Sequence, residues 1–164
     1  MKNKTFIPII VGIFIGIFVK LFVIDIVIVS GDSMEPYIAN GDTLFINKLA
    51  YGIKNPIKPS LLFQWATPQK NDIIVYMHEN RQIVKRCCGI ATEPLEYSTD
   101  TNYNLYVSGK EYPLTEQQYQ RIKFNNTVPE NTILALGDNS TVSVDSRNYG
   151  FIPTQLIFGK VLCK

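Results

Sequence analysis

The stretch SGDSMEPYIANGD, Ser30 to Asp42, presents a serine in a small, polar, turn-rich loop. A serine hydroxyl is a poor nucleophile until a base takes its proton. The single histidine, His78, has nothing near it in sequence that argues for a triad. Asp32 and Glu35, beside the serine, read as solvated acids. That leaves a lysine, which serves as a base only when its amine is neutral near pH 7, and burial in apolar surroundings achieves this by disfavouring the charged form. Lys85 is the candidate, because QIVKRCCGI sets it among Ile83, Val84, Cys87, Cys88 and Ile90. Strand alternation places Lys85 and Ile83 on one face and Val84 and Arg86 on the other, so one face can bury the amine while Arg86 turns outward. Taken by itself, the segment fits a surface strand lysine better than a buried one. A third segment, GDNSTVSVDSRNYGFIP, is dense in Gly, Asp, Asn and Ser. Asp145 and Arg147 are spaced to share one face of an extended chain and to bridge, and Ser143 is a candidate to orient a lysine amine by hydrogen bonding.

Composition narrows what these residues can serve. The chain has 164 residues and a formal net charge of +2, which allows one soluble domain and gives no electrostatic case for binding nucleic acid. The three cysteines, Cys87, Cys88 and Cys163, form no disulfide framework, and no Cys/His spacing fits zinc. No metal and no cofactor are expected.

The elements that must position the candidates begin with a membrane anchor. Lys2 and Lys4 precede an apolar run, interrupted by Lys20 and resumed to Ile24. About 20 residues cross a bilayer, and residues 5–24 supply them if Lys20 extends its amine to the interface. The positive flank places residues 1–4 in the cytoplasm and residues 25–164 on the far side. The apolar run extends past an ordinary signal core with no clean small-x-small site after it, which favours an uncleaved anchor over a cleaved signal.

Beyond the anchor, strands are expected at 25–30, 43–47, 72–77, 82–86, 132–136 and 156–162. A hairpin is expected around Ser108-Gly109 and a helix over 116–122. Residues 54–68 read as irregular, enclosing an apolar cluster from Leu61 to Trp65 that suits either core packing or a surface dipping into lipid. Short strands with turn signals between them indicate a mostly β fold, an antiparallel sheet or barrel-like catalytic domain preceded by one N-terminal transmembrane helix.

In order along the chain, SGDSMEP with Gly41-Asp42, then AYGIKNPI, then NDIIVY followed by IVKR, then GDNSTVSVDSRNYGFIP resemble the type I signal peptidases, the bacterial leader peptidases that work through a serine–lysine dyad. The resemblance covers most of the chain from the anchor to Pro153. It implies a membrane-bound serine endopeptidase that removes signal peptides from exported preproteins with small residues at positions −1 and −3. Ser33 matches the nucleophile and Lys85 the general base. The Ser33 N–H would serve an oxyanion hole. Gly31 stands where some members carry a serine that helps the oxyanion. Ser143 matches the serine that orients the lysine, Met34 and Pro36 match residues that shape the serine loop, and Asp145 and Arg147 match a structural ion pair. The resemblance also implies a single-pass protein of the cell membrane, its catalytic domain facing the outer leaflet. The chain departs from the family pattern at Asn71, Ser140, Asn148, the adjacent cysteines and residues 90–94, and its interval from Lys85 to Gly137 has no room for a large β insertion. A dedicated processing peptidase of a conjugation or pilus system, with the same dyad, is the alternative.

Overall fold

The first apolar segment changes from helix to strand where the chain begins to pair with a second strand. The computed structural model describes residues 6–55, 57–100 and 102–164. Helix α1 (Phe6–Phe22) has 17 residues and gives way to strand β1 (Ile24–Ile28). β1 pairs antiparallel with β2 (Thr43–Asn47), Ile26 standing opposite Phe45. The apolar run expected to span 5–24 is therefore helical only as far as Phe22. At 1.5 Å per residue α1 is about 26 Å long. Among the described residues no helix is long and apolar enough to cross a membrane. The expected cytoplasmic residues 1–4, and Thr5, lie outside the described residues.

After β2 come β3 (Gly52–Lys54), β4 (Leu61–Gln64), β5 (Ile73–His78), β6 (Arg81–Gly89), β7 (Glu96–Ser98), β8 (Asn104–Val107) and β9 (Lys110–Pro113). Helix α2 (Glu116–Ile122), β10 (Thr132–Leu136), the one-turn helix α3 (Ser146–Tyr149), β11 (Ile152–Pro153) and β12 (Ile157–Cys163) complete the chain. The fold is mostly β and antiparallel. Seven strands form the main sheet in the order β1-β2-β12-β5-β6-β10-β11. The sheet is open, with β1 and β11 at its edges, and among the described residues no pairing closes it into a barrel.

The β5–β6 hairpin turns at Glu79 and Asn80, both at positive φ, the mirror-image turn whose twist matches that of two paired strands. Its register sets Lys85 opposite Ile74 and Arg86 opposite Ile73. β10 pairs with β6 only from Arg86 to Gly89. Among the described residues, the other edge of β6, from Arg81 to Lys85, therefore has no strand beside it. On one face of the sheet Ile74, Tyr76, Cys87, Ala135 and Ile157 pack with Tyr51 and Ile152. On the other, Ile73 packs with Met34, Ile38 and Leu44.

Two stretches depart from the sequence expectation. Residues 54–68 are not wholly irregular, since β4 pairs with β3 and Asn55 N–H to Ser60 C=O helps close the connection. Leu62, Phe63 and Trp65 stay exposed on this pair. Asp145 and Arg147 do not lie on an extended chain: Asp145 caps α3 and Arg147 sits in its first turn. The remaining unit, β7–β8–β9 with α2, packs Leu105, Val107 and Ile122, with Leu95 and Val128, against Cys88, Leu134 and Leu136 of the main sheet. The expected hairpin at Ser108-Gly109 and helix over 116–122 are both part of it.

Candidate active site

Ser33 lies on the loop joining β1 to β2. The base of this loop is closed by Val29 N–H to Asp42 C=O at 2.9 Å and Gly41 N–H to Val29 C=O at 3.0 Å. Met34 is buried beneath it against Ile38, Leu44 and Ile73, anchoring the segment next to Ser33. Pro36 follows a cis peptide bond within the same loop. Gly31 has φ +105, a backbone region that strains any side chain, and its N–H faces Asn40 Oδ1 at 3.4 Å. A serine at this position would be strained, so Gly31 shapes the turn and supplies no hydroxyl.

Lys85 reaches this loop from β6. Its Nζ lies 2.6 Å from Ser33 Oγ, and the residue is only 4% exposed. Burial pushes the amine below the ordinary lysine value; the Asp145 charge pulls it back up, and the Arg147 charge pushes it down. The next residue, Arg86, does not turn out to solvent as alternation suggested. Its Nε and Nη2 each donate to the Asp138 carboxylate at 2.7 Å, and the guanidinium lies 4.9 Å from the Tyr37 ring. A planar guanidinium fits a carboxylate with two parallel bonds, so this pair ties the lysine strand to the third segment. Cys87 and Cys88 point to opposite faces of β6, into separate cores, and burial pushes the Cys87 thiol up to about 12.

The third segment holds the pair from behind. The Asp145 carboxylate accepts from Gly137 N–H at 2.9 Å, Ser143 Oγ at 2.6 Å, and Arg147 N–H, Nε and Nη2 at 3.1, 2.9 and 2.8 Å. Burial pushes this carboxyl up, but the Arg147 hydrogen bonds and charge outweigh that and hold it below the usual carboxylate range. Ser143 donates to Asp145 and, among the described residues, has no hydrogen bond to Lys85. A charged carboxylate is a strong acceptor, which accounts for the direction its hydroxyl takes. Asn139 N–H donates to the Ser33 carbonyl at 3.1 Å, tying this segment to the serine loop.

Gly137 was not singled out from sequence. A Cβ there would overlap both Ser143 Oγ and the Ser33 carbonyl, so the close approach of the two segments requires glycine. Its signal was weak: a glycine ending an apolar strand before a polar box reads as an ordinary turn. Overpacking and a displacement of about 1 Å in a reacting group predict that Gly137→Ala lowers kcat about a hundredfold, measured as steady-state cleavage of a preprotein, while KM changes little.

A cleft of about 190 Å³ opens at Ser33, walled by Val27, Ile28 and Val29 of the β1 side and by Gln82, Ile83 and Val84 of β6. Among the described residues, neither β1 nor the Gln82–Val84 stretch of β6 has a second strand on the side facing the cleft. Among the described residues no group of His, Cys, Asp and Glu is placed to hold a metal ion.

A family model described as signal peptidase, peptidase S26, matches residues 3–164. The chain belongs to this family. It is a serine endopeptidase of the signal peptidase I type. The signal peptidase I of Bacillus caldolyticus is 33% identical over 152 residues, covering 82% of this chain and 75% of that protein. Signal peptidase IB of Staphylococcus aureus is 29% identical over 154 residues, covering 81% of this chain and 73% of that protein. A crystal structure of a signal peptidase I from Enterococcus faecalis is 28% identical, with a TM-score of 0.42, and covers 60% of this chain and 98% of that one.

Proposed function

We propose that Ser33 is the nucleophile and Lys85 its general base in removing signal peptides from exported preproteins, the reaction that goes with membership of this family. The observation that carries this reading is the 2.6 Å approach of a buried lysine amine to a serine hydroxyl. Neutral Lys85 takes the Ser33 proton as Oγ attacks the scissile carbonyl. The oxyanion that forms is met by the Ser33 N–H, which donates to no acceptor among the described residues. The lysine ammonium gives its proton to the leaving amine, and the acyl group stays on Oγ. Lys85 then takes a proton from water, which attacks the ester and releases the signal peptide and Ser33.

The unpaired edges of β1 and β6 suit an extended peptide added between them, and the small cleft suits small side chains at −1 and −3. The test is cleavage of a preprotein carrying an Ala-x-Ala site, followed against pH. Only neutral Lys85 is a base, so kcat/KM rises with pH through the lowered lysine value and levels off below the free-lysine value of about 10.4. An acidic limb at or above that value, or no cleavage at the Ala-x-Ala site by folded protein, overturns the reading.

The same reading places the enzyme in the cell membrane by a single pass, its N-terminus cytoplasmic and its catalytic domain outside. The first supporting feature is the apolar α1, none of whose residues is buried. Leu21 and Phe22 border one surface depression with Ile53, Lys48 and Lys54. Beyond it, Leu62 and Phe63 are 67% and 63% exposed, an apolar surface suited to the lipid interface with lysines at its rim. Replacing both with glutamate removes burial worth roughly 1.5–3 kcal/mol per side chain. The double variant is expected to lose about tenfold or more in cleaving a preprotein in vesicles, with little change on a short soluble peptide.

A further inference from the structure

Two helix caps meet beside the active site. At the start of α2, Gln118 N–H donates to Thr115 Oγ1 at 3.2 Å and Gln118 Oε1 accepts from Thr115 N–H at 2.8 Å. At the start of α3, the Asp145 carboxylate accepts from Arg147 N–H and Asn148 Oδ1 accepts from Asp145 N–H at 3.2 Å. Each is a reciprocal capping box that uses the third residue's side chain as an acceptor. Gln118 keeps its amide hydrogens free for a second task, and its Nε2 donates to the same Asn148 Oδ1 at 3.2 Å. That oxygen therefore receives two donors, the most its two lone pairs accept. A second link from the same unit runs from Arg147 Nη1 to the Pro113 carbonyl at 3.2 Å.

We infer that Gln118 and Asn148 are positioning residues of the peptidase reaction, fixing the Asp145 carboxylate and, through Ser143 and Gly137, the placement of Ser33 and Lys85. α3 is a single turn, too short to hold its own geometry, because the first turn of a helix is unfavourable on its own. Its cap must be held from outside, and Gln118 is the side chain of the β7–β9/α2 unit that reaches it. From Asp145 the path is short. The carboxylate receives Gly137 N–H and Ser143 Oγ, and Gly137 lies directly against the Ser33 carbonyl. Asn148, a departure from the family pattern, here joins the catalytic segment to a unit outside the main sheet.

The inference rests on the Ser33–Lys85 reading, so Ser33→Ala is assayed beside it to report that reading separately. Gln118→Glu is the informative variant. Its carboxylate still accepts from Thr115 N–H, and a negative charge suits the first turn of α2, but the donor to Asn148 is gone. The expected result is a kcat about tenfold lower with KM within about twofold, and a thermal midpoint within about 2 °C of wild type. Asn148→Ala, which also removes the acceptor of Asp145 N–H, is expected to lower kcat at least as much, and the double variant no further than Asn148→Ala alone, because the Gln118 bond is already gone. If the wild type cleaves, Ser33→Ala does not, and Gln118→Glu keeps kcat within twofold, the inference is overturned. A change confined to KM, or losses that multiply in the double variant, overturns it equally.

Discussion

Lys85→Ala is expected to leave a folded protein that has lost at least about a thousandfold in kcat, Ser33→Ala the same, and the double variant no more. The two residues act as one unit, so removing either disables the proton transfer that both serve. The measurement is single-turnover cleavage of a preprotein by purified protein in detergent, with folding checked by circular dichroism. Appreciable cleavage by Lys85→Ala would assign the base elsewhere. Lys85→Met gives an independent readout. Its thioether keeps the apolar contacts and removes the amine. The folded-state value of Lys85 is lowered, so its burial becomes less favourable as pH falls from the unfolded value of about 10.4 through the folded one. At pH 7 the wild type carries the destabilisation accumulated between the unfolded value and that pH, and the methionine variant carries none. A rise of about 1 kcal/mol in stability, about 3 °C for a chain of this size, is expected at pH 7 and should shrink near pH 11. An equal midpoint at every pH would mean that the amine is not buried uncharged.

The Asp145–Arg147 pair carries the second large effect, on stability. Both side chains are essentially inaccessible, at 0% and 1% exposure. Arg147→Met leaves a buried carboxylate without its counter-ion, which destabilises by about 3–5 kcal/mol. In a chain of this length that lowers the midpoint by roughly 10 °C. The pH dependence has a definite sign. In the wild type, the lowered Asp145 value contributes stability that is fully present above the unfolded carboxyl value of about 3.9 and is lost as pH falls below it. In the variant, burial dominates and the carboxyl becomes neutral more readily. The gap between wild type and variant should therefore be widest at neutral pH and should narrow as pH falls, first through the raised carboxyl value of the variant and then below about 4 as the wild type loses its own contribution. Thermal melts at pH 7 and pH 3.5 check this, and a gap independent of pH would mean that the charge of Asp145 is not what Arg147 offsets.

Much of the sheet was legible because β-branched runs such as DIIVYM and DIVIV favour a strand over a helix. The β3–β4 pair was hidden by prolines on either side of a short apolar run, a pattern that reads as loop when no partner strand is known. α3 was hidden for a different reason. Four residues give no periodicity, and its cap relies on asparagine at the third position where glutamate or glutamine would be the recognisable signal. At the site, residue type alone nominates Ser33 and Lys85. Their approach across 52 positions of sequence is a property of the tertiary fold. Alternation assigned Lys85 and Arg86 to opposite faces but could not tell that both faces are covered, so the Arg86–Asp138 pair went unseen. Gln118 and Asn148 are 30 positions apart and are joined by one amide contact, which no local pattern reveals.

The bare outer edge of β1 has a consequence for the protein apart from any substrate. Its unpaired backbone is also a template for another copy of the same strand, and the outward Ile24, Ile26 and Ile28 make it an adhesive one. Asp25, on the inner side of the strand and 3.5 Å from Lys48, acts against this. Its other oxygen, Oδ1, accepts the Ile26 N–H at 3.0 Å, so a second strand could bond to that amide only by displacing the carboxylate. One acidic residue thus makes the edge a poorer template for self-association.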